Sequence, residues 1–169
     1  MKRAISFILA VMMCLSLCAC GGGGSKTPEL VLNETCSVSA YDITITGFDF
    51  TEKATFPDGG GFNMLPQTGY VTANLYFDVK YNGKTTTFSS NFSPDVIDYN
   101  DGFEFELEEF YFYDSGIHAW LNMGEIEPLT PKFSCKASFF VPLEVKENTS
   151  APLFVKFVID NIEAIYKVR

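Results

Sequence analysis

The sequence predicts an all-β domain: a two-layer antiparallel β-sandwich of about seven strands, with a β-barrel as the alternative. Three observations point there. Beyond residue 20, apolar side chains recur with period two and not at the i, i+3, i+4 spacing of a helix. Turn dipeptides, Asn82-Gly83 and Asp160-Asn161, stand directly between alternating runs. Prolines stop the runs, as Pro142 does.

Taken in order, Tyr41, Ile43 and Ile45 alternate with Asp42, Thr44 and Thr46 ahead of Gly47. Residues 56–69, with Pro57, Gly59, Gly60, Gly61 and Pro66, predict an exposed loop. The clearest strand then puts Val71, Ala73, Leu75, Phe77, Val79 and Tyr81 on one face, against Thr72, Asn74, Tyr76, Asp78 and Lys80 on the other. Such a strand has one face on a core and one in water. Asn82-Gly83 follows at once, then Lys84-Thr85-Thr86-Thr87-Phe88, which predicts a type I′ hairpin over residues 70–91, because both turn positions need positive φ. Phe103, Phe105 and Leu107 alternate with Glu104, Glu106 and Glu108. Phe133, Cys135, Ala137, Phe139 and Val141 line one face until Pro142, which has no N–H for the ladder. Leu153, Val155, Phe157 and Ile159 lead through Asp160-Asn161 into Ile162, Ala164, Tyr166 and Val168, a second two-residue hairpin.

Ahead of this domain, Lys2 and Arg3 precede a nearly unbroken apolar run from Ala4 to Leu17, the charged and hydrophobic regions of an export signal. The run is shorter than the roughly 20 apolar residues that span a bilayer. Leu17-Cys18-Ala19-Cys20 resembles the bacterial lipobox, with leucine at −3 and a small residue at −1. The resemblance implies cleavage before Cys20 and a diacylglycerol on its sulfur. Cys18 is the poorer acceptor because bulky Leu17 precedes it, and an ordinary signal peptide with Cys20 unmodified is the other reading. Gly21-Gly22-Gly23-Gly24-Ser25 then makes a flexible tether. Two acyl chains, at about 0.8 kcal/mol per methylene, anchor stably where one would be marginal. The expected division is 1–19 signal peptide, 20–34 lipidated cysteine and tether, and 35–169 domain. The expected place is the extracytoplasmic face of the cell membrane, held by lipid.

Cutting before Cys20 removes two cations, Lys2 and Arg3, and no acid, so the net charge of −9 becomes −11. So acidic a chain is repelled by phosphates, which speaks against nucleic acid and against polybasic adhesion to anionic lipid. Of five cysteines, Cys14 and Cys18 leave with the signal and Cys20 takes lipid, so Cys36 and Cys135 remain. An oxidising compartment makes a Cys36–Cys135 disulfide the expectation. Closing a loop of about 100 residues would add up to roughly 4–5 kcal/mol in the chain-entropy model. Two separate buried thiols are the alternative.

The strand near Ser37 to Phe50, the long loop after it, the strand Val71 to Tyr81, Phe140-Val141-Pro142, and Pro152-Leu153-Phe154-Val155-Lys156-Phe157 together resemble the immunoglobulin-like domain of unknown function found on Gram-positive lipoproteins. That family lies in the immunoprotective extracellular protein superfamily. The likeness spans most of residues 35–168 and implies an immunoglobulin-like sandwich, but no reaction. This chain departs from the pattern in its acidic, aromatic stretch 98–120 and in lacking a glycine just before Phe140-Val141-Pro142.

Chemistry is sparse. A nucleophilic triad needs a base, and the single histidine, His118, has no Gly-x-Ser-x-Gly elbow to serve. One histidine with two distant cysteines does not make a zinc site. Asp98-Tyr99-Asn100-Asp101-Gly102 fails the EF-hand spacing, though Asp95, Asp98 and Asp101 leave a calcium site of another kind open. Glu104, Glu106, Glu108 and Glu109 read as a wet strand face before they read as a glycosidase pair. No catalytic residue, metal or cofactor is expected. What remains is Phe110-Tyr111-Phe112-Tyr113 with Trp120 nearby. Alternate residues face opposite ways, so Tyr111 and Tyr113 share one face and Phe110 and Phe112 the other. Tyr111, Tyr113 and Trp120 are the candidate ligand-binding residues, for a protein partner or a carbohydrate. The functional expectation is a non-catalytic module for adhesion, partner binding or envelope association.

Overall fold

The structure is a computed structural model that describes residues 29–58, 64–100 and 102–169. The signal segment 1–19, Cys20 and the Gly21–Ser25 tether lie outside the described residues, as do Gly59, Gly60, Gly61 and Asp101. The described strands are β1 (Glu29–Leu30), β2 (Thr35–Val38), β3 (Tyr41–Thr51), β4 (Tyr70–Tyr81), β5 (Thr87–Phe88), β6 (Val96–Tyr99), β7 (Phe103–Asp114), β8 (Ala119–Leu121), β9 (Glu125–Ile126), β10 (Phe133–Pro142), β11 (Leu153–Ile159) and β12 (Ile162–Lys167). Helix among the described residues is limited to the turns Ser89–Phe92 and Leu143–Glu147.

The strands build a β-sandwich in the order β1-β12-β11-β6-β7-β10-β4-β3-β2, with β8 on β7. Strand β7 belongs to both layers. Its first residues pair with β6 and its later ones with β10, so one ladder runs round the side of the sandwich in barrel-like fashion. The pairs are antiparallel except for β1 on β12. More strands appear than the sequence predicts because β1, β2, β6, β8 and β9, of two to four residues each, are too short to show a period.

Two bulges explain offsets that a strict alternation cannot. In β3 the register passes from Ile45 opposite Phe77 to Gly47 opposite Tyr76, leaving Thr46 as an extra residue. In β7 it passes from Leu107 opposite Phe139 to Glu109 opposite Ser138, leaving Glu108 extra. An inserted residue reverses which parity faces inward. Ile43 and Ile45 therefore share the core side with Phe48 and Phe50, and Phe105 and Leu107 share it with Phe110 and Phe112.

Aromatic contacts tie the layers together. Phe157 of β11 meets Phe77 of β4 edge-on at 5.4 Å between ring centroids. Fully buried Tyr166 of β12 reaches across the core: its hydroxyl accepts from the Cys36 N–H at 3.2 Å and donates to the Ile43 carbonyl at 2.7 Å. A phenol can enter an apolar core only if its polar end is satisfied, and here both partners are main-chain groups of the opposite layer.

Two expectations are corrected. The hairpin over residues 70–91 does not form, because both edges of β4 are already taken by β3 and β10, long strands that bury its apolar face. Thr87–Phe88 pairs instead with Glu125–Ile126. Asn82 donates its N–H to the Ala40 carbonyl, and neither Asn82 nor Gly83 has positive φ. Gly83 is required for another reason: a Cβ there would overlap the Tyr81 ring, whose hydroxyl donates to the Thr85 carbonyl. The second hairpin does form, with Asp160 at φ 51° and Asn161 at φ 62°.

The Cys36–Cys135 disulfide is also absent. Cys36 lies in β2 opposite Ile43, Cys135 lies in β10 opposite Phe77, and β3 and β4 run between them. Three ladder spacings of roughly 4.8 Å separate the cysteines by about 14 Å, twice the roughly 7 Å limit for a bond.

Candidate functional site

The aromatic stretch is divided by the pleat of β7 as expected. Phe110 and Phe112 join the core, while Tyr111 and Tyr113 face outward. The two tyrosines then meet different fates. Tyr111 is buried, because Phe56 packs on it with ring centroids 4.5 Å apart. Burial, and next the charge of Glu109, push its phenol up to about 12. Residues 52–58 thus run over the outer face of this layer; of the loop expected over 56–69, Phe56 packs on Tyr111, while Met64, Leu65, Gln67, Thr68 and Gly69 are exposed as the sequence suggests. Tyr113 stays half-buried and stands opposite Trp120 in the β7–β8 ladder, the rings 5.5 Å apart and tilted by 62°.

Beside Tyr113 lies a groove of about 180 Å³ at the end of the sandwich. Its apolar lining comes from Phe112, Ile126 and Phe133, which are buried core residues, and its polar lining includes Asp114, Glu125 and Glu127. The positioning is local. Gly124 lets the chain pass directly over Phe112, since a Cβ there would stand 2.8 Å from the ring's Cζ. Ser89 and Gly124 exchange hydrogen bonds, Ser89 N–H donating to the Gly124 carbonyl at 3.0 Å while the Gly124 N–H donates to Ser89 Oγ at 3.2 Å. Asp114 Oδ1 caps the Gly116 N–H at 2.7 Å, and Glu127 Oε2 accepts from Thr86 Oγ1 at 3.0 Å. The groove was not legible in sequence; its only signal was the spacing Glu125-x-Glu127 after a glycine.

A second polar group sits beneath residues 52–58. Lys136 is almost fully buried, with its ammonium donating to the Thr55 carbonyl at 2.7 Å and lying 5.9 Å from the Tyr76 ring centroid. Burial lowers its pKa, and the charges of Asp49 and Glu109 pull it back up. Asn74 bonds Asp49, Thr51 and Ser138 beside it. On this face of β10 Lys136 and Ser138 are buried, whereas Ser134 stays exposed.

The other candidates are engaged elsewhere. Asp98 and Glu104 both bind Lys156, at 2.8 and 2.7 Å, and hydrogen bonds to these carboxylates push the lysine up to about 12. Asp95 Oδ2 accepts from the Val158 N–H at 2.7 Å. Of the carboxylates weighed for calcium and for glycoside hydrolysis, Asp95, Asp98 and Glu104 are therefore tied into strand β11. His118 is exposed in the β7–β8 turn at φ 55°. Among the described residues no group of three His, Cys, Asp or Glu side chains is placed to hold a metal, and no helix is long and apolar enough to cross a membrane.

Two solved structures share this architecture. An uncharacterized β-sandwich protein from Clostridium difficile 630 superposes with a TM-score of 0.65 at 18% identity, the match covering 88% of this chain and 100% of that one. This chain, too, is a β-sandwich. A conserved hypothetical protein from Bacillus anthracis matches with a TM-score of 0.52 at 14% identity, over 87% of this chain and 100% of the other. Both relatives come from Gram-positive bacteria, and identities this low speak for the fold alone. No protein-family model and no curated protein matches the chain.

Proposed function

We propose that this protein is a lipid-anchored module on the extracytoplasmic face of the membrane, without catalysis of its own, that binds a protein partner through the β7–β8 end of its sandwich. Cys20 in its lipobox setting supplies the anchor and Gly21–Ser25 the reach. The observation that carries the binding role is a set of large, exposed apolar residues that neighbour groove-lining positions along the chain or across a ladder. Phe88 stands opposite Glu125, while Met123 and Leu129 lie within two residues of groove-lining positions; all three are large and exposed, Leu129 at 94%. Single exposed apolar residues need no explanation, but several around one concavity mark an interaction surface. A carbohydrate platform is less well served, since Tyr111 is covered and the Tyr113 and Trp120 rings are tilted toward each other.

Photo-cross-linking in intact cells tests this reading. A photoreactive residue at Met123 or Leu129 is expected to give discrete protein adducts, while the same residue at Leu65, as exposed as Met123 at 74% but in the loop ahead of β4, gives none. Equal adducts from all three positions would overturn the assignment of the surface.

A further inference from the structure

We infer that the groove beside Tyr113 receives a lysine or arginine side chain from a basic segment of the partner; this rests on the binding surface proposed above. Size gives the first argument. At about 180 Å³ the groove is well below the roughly 300–1,000 Å³ of sites that hold drug-sized ligands, and it suits one long side chain. The lining gives the second. Phe112, Ile126 and Phe133 offer apolar surface to an aliphatic stem, while Asp114, Glu125 and Glu127 stand at the same groove for a cationic head. Long basic side chains are built in just this two-part way.

The third argument is charge. Among the described residues the ion pairs are those of Lys132 with Asp78 and of Lys156 with Asp98 and Glu104, so none involves the three groove carboxylates. Lys132, the basic residue next to the groove in sequence, is held by Asp78 at 2.8 Å. Three acids around an apolar floor, with no cation paired to them among the described residues, are complementary to a cation from outside. The net charge of the whole chain, −9, draws such a segment in from a distance.

The test uses the full chain in non-ionic detergent micelles at about 0.15 M salt, where charges farther apart than roughly 8 Å are screened. Hexalysine is the probe, and the fluorescence of Trp120, the single tryptophan, which touches groove-lining Tyr113, is the reporter. Saturable binding is expected, weakened about tenfold or more in the triple variant Asp114→Asn, Glu125→Gln, Glu127→Gln. The control Glu106→Gln, Glu108→Gln, Glu163→Gln removes the same charge from exposed positions away from the groove and is expected to bind like the parent. Equal weakening by both triple variants would mean a diffuse field and would overturn the inference. So would equal binding of hexalysine acetylated on its side chains. If hexalysine fails while adducts still form from Met123 and Leu129, the cation is wrong and the surface stands; if the adducts fail too, both fall.

Discussion

Tyr113 and Trp120 face each other across the β7–β8 ladder, their ring centroids 5.5 Å apart at 62°. The pair holds the short edge strand β8 against β7 and so shapes the wall beside the groove. An aromatic pair of this geometry is worth about 0.5–1.5 kcal/mol beyond its burial. Tyr113→Ala is expected to lower stability by about 1 kcal/mol and to shift Trp120 emission toward that of a solvated indole. Denaturant unfolding followed by fluorescence checks both, and an unchanged emission maximum would show that the rings are not in contact.

Gly83 makes a second case, because the same residue can be required for two different reasons. A type I′ turn would ask for positive φ, whereas the structure asks for room beside the Tyr81 ring. Gly83→Ala is therefore expected to destabilise by about 1–3 kcal/mol, the usual cost of overpacking, and the loss is expected to shrink in a Tyr81→Leu background. Additive effects of the two changes would contradict the contact.

These two turns show how far the sequence could be read. Asn82-Gly83 and Asp160-Asn161 are both hairpin signals, and only the second makes a hairpin, because β11 needs β12 as a neighbour while β4 is already flanked. Local turn chemistry cannot report which strand edges are occupied. The long strands were legible through their period. The bulges at Thr46 and Glu108 were visible only as odd offsets between apolar pairs, and the layer-switching of β7 depends on pairings far apart in sequence. Of the candidate site, the shared face of Tyr111 and Tyr113 was legible, but the pairing of Tyr113 with Trp120, the covering of Tyr111 by Phe56 and the approach of Glu125 and Glu127 to Asp114 were not. The last two bring segments distant in sequence against β7, and such contacts carry no periodic mark.

The cysteines offer a direct check of strand order. With β3 and β4 between them, Cys36 and Cys135 are expected to stay unlinked to each other even in protein exported under oxidising conditions. Burial pushes the Cys135 thiol well above its ordinary range, and reactivity follows the thiolate. Iodoacetamide is expected to spare Cys135 in the folded protein and to modify it after denaturation. Recovery of a Cys36–Cys135 cross-linked peptide from unreduced protein would contradict the topology.

At high pH two groups act in the same direction. The Tyr111 phenol and the Lys156 ammonium each titrate near 12 in the folded protein, against about 10 and 10.4 in an unfolded chain. A raised folded value means that the unfolded chain loses its proton first. Both contributions are thus fully present below about pH 10 and are lost as pH climbs toward 12. Absorbance titration of the phenolates is expected to show late-ionising tyrosine in the folded protein, with one late proton fewer in Tyr111→Phe. An unchanged late fraction in that variant would place the slow titration elsewhere.

The account depends most on Cys20, since a module tethered by lipid on the outer face of the membrane meets partners that an unanchored one would not. Mass spectrometry of the N-terminal peptide from protein purified out of its own membranes is the most direct measurement. The account predicts a chain that begins at Cys20, lacks residues 1–19 and carries diacylglycerol on the cysteine sulfur. A mature chain that begins at another residue, or a Cys20 thiol without lipid, would contradict it.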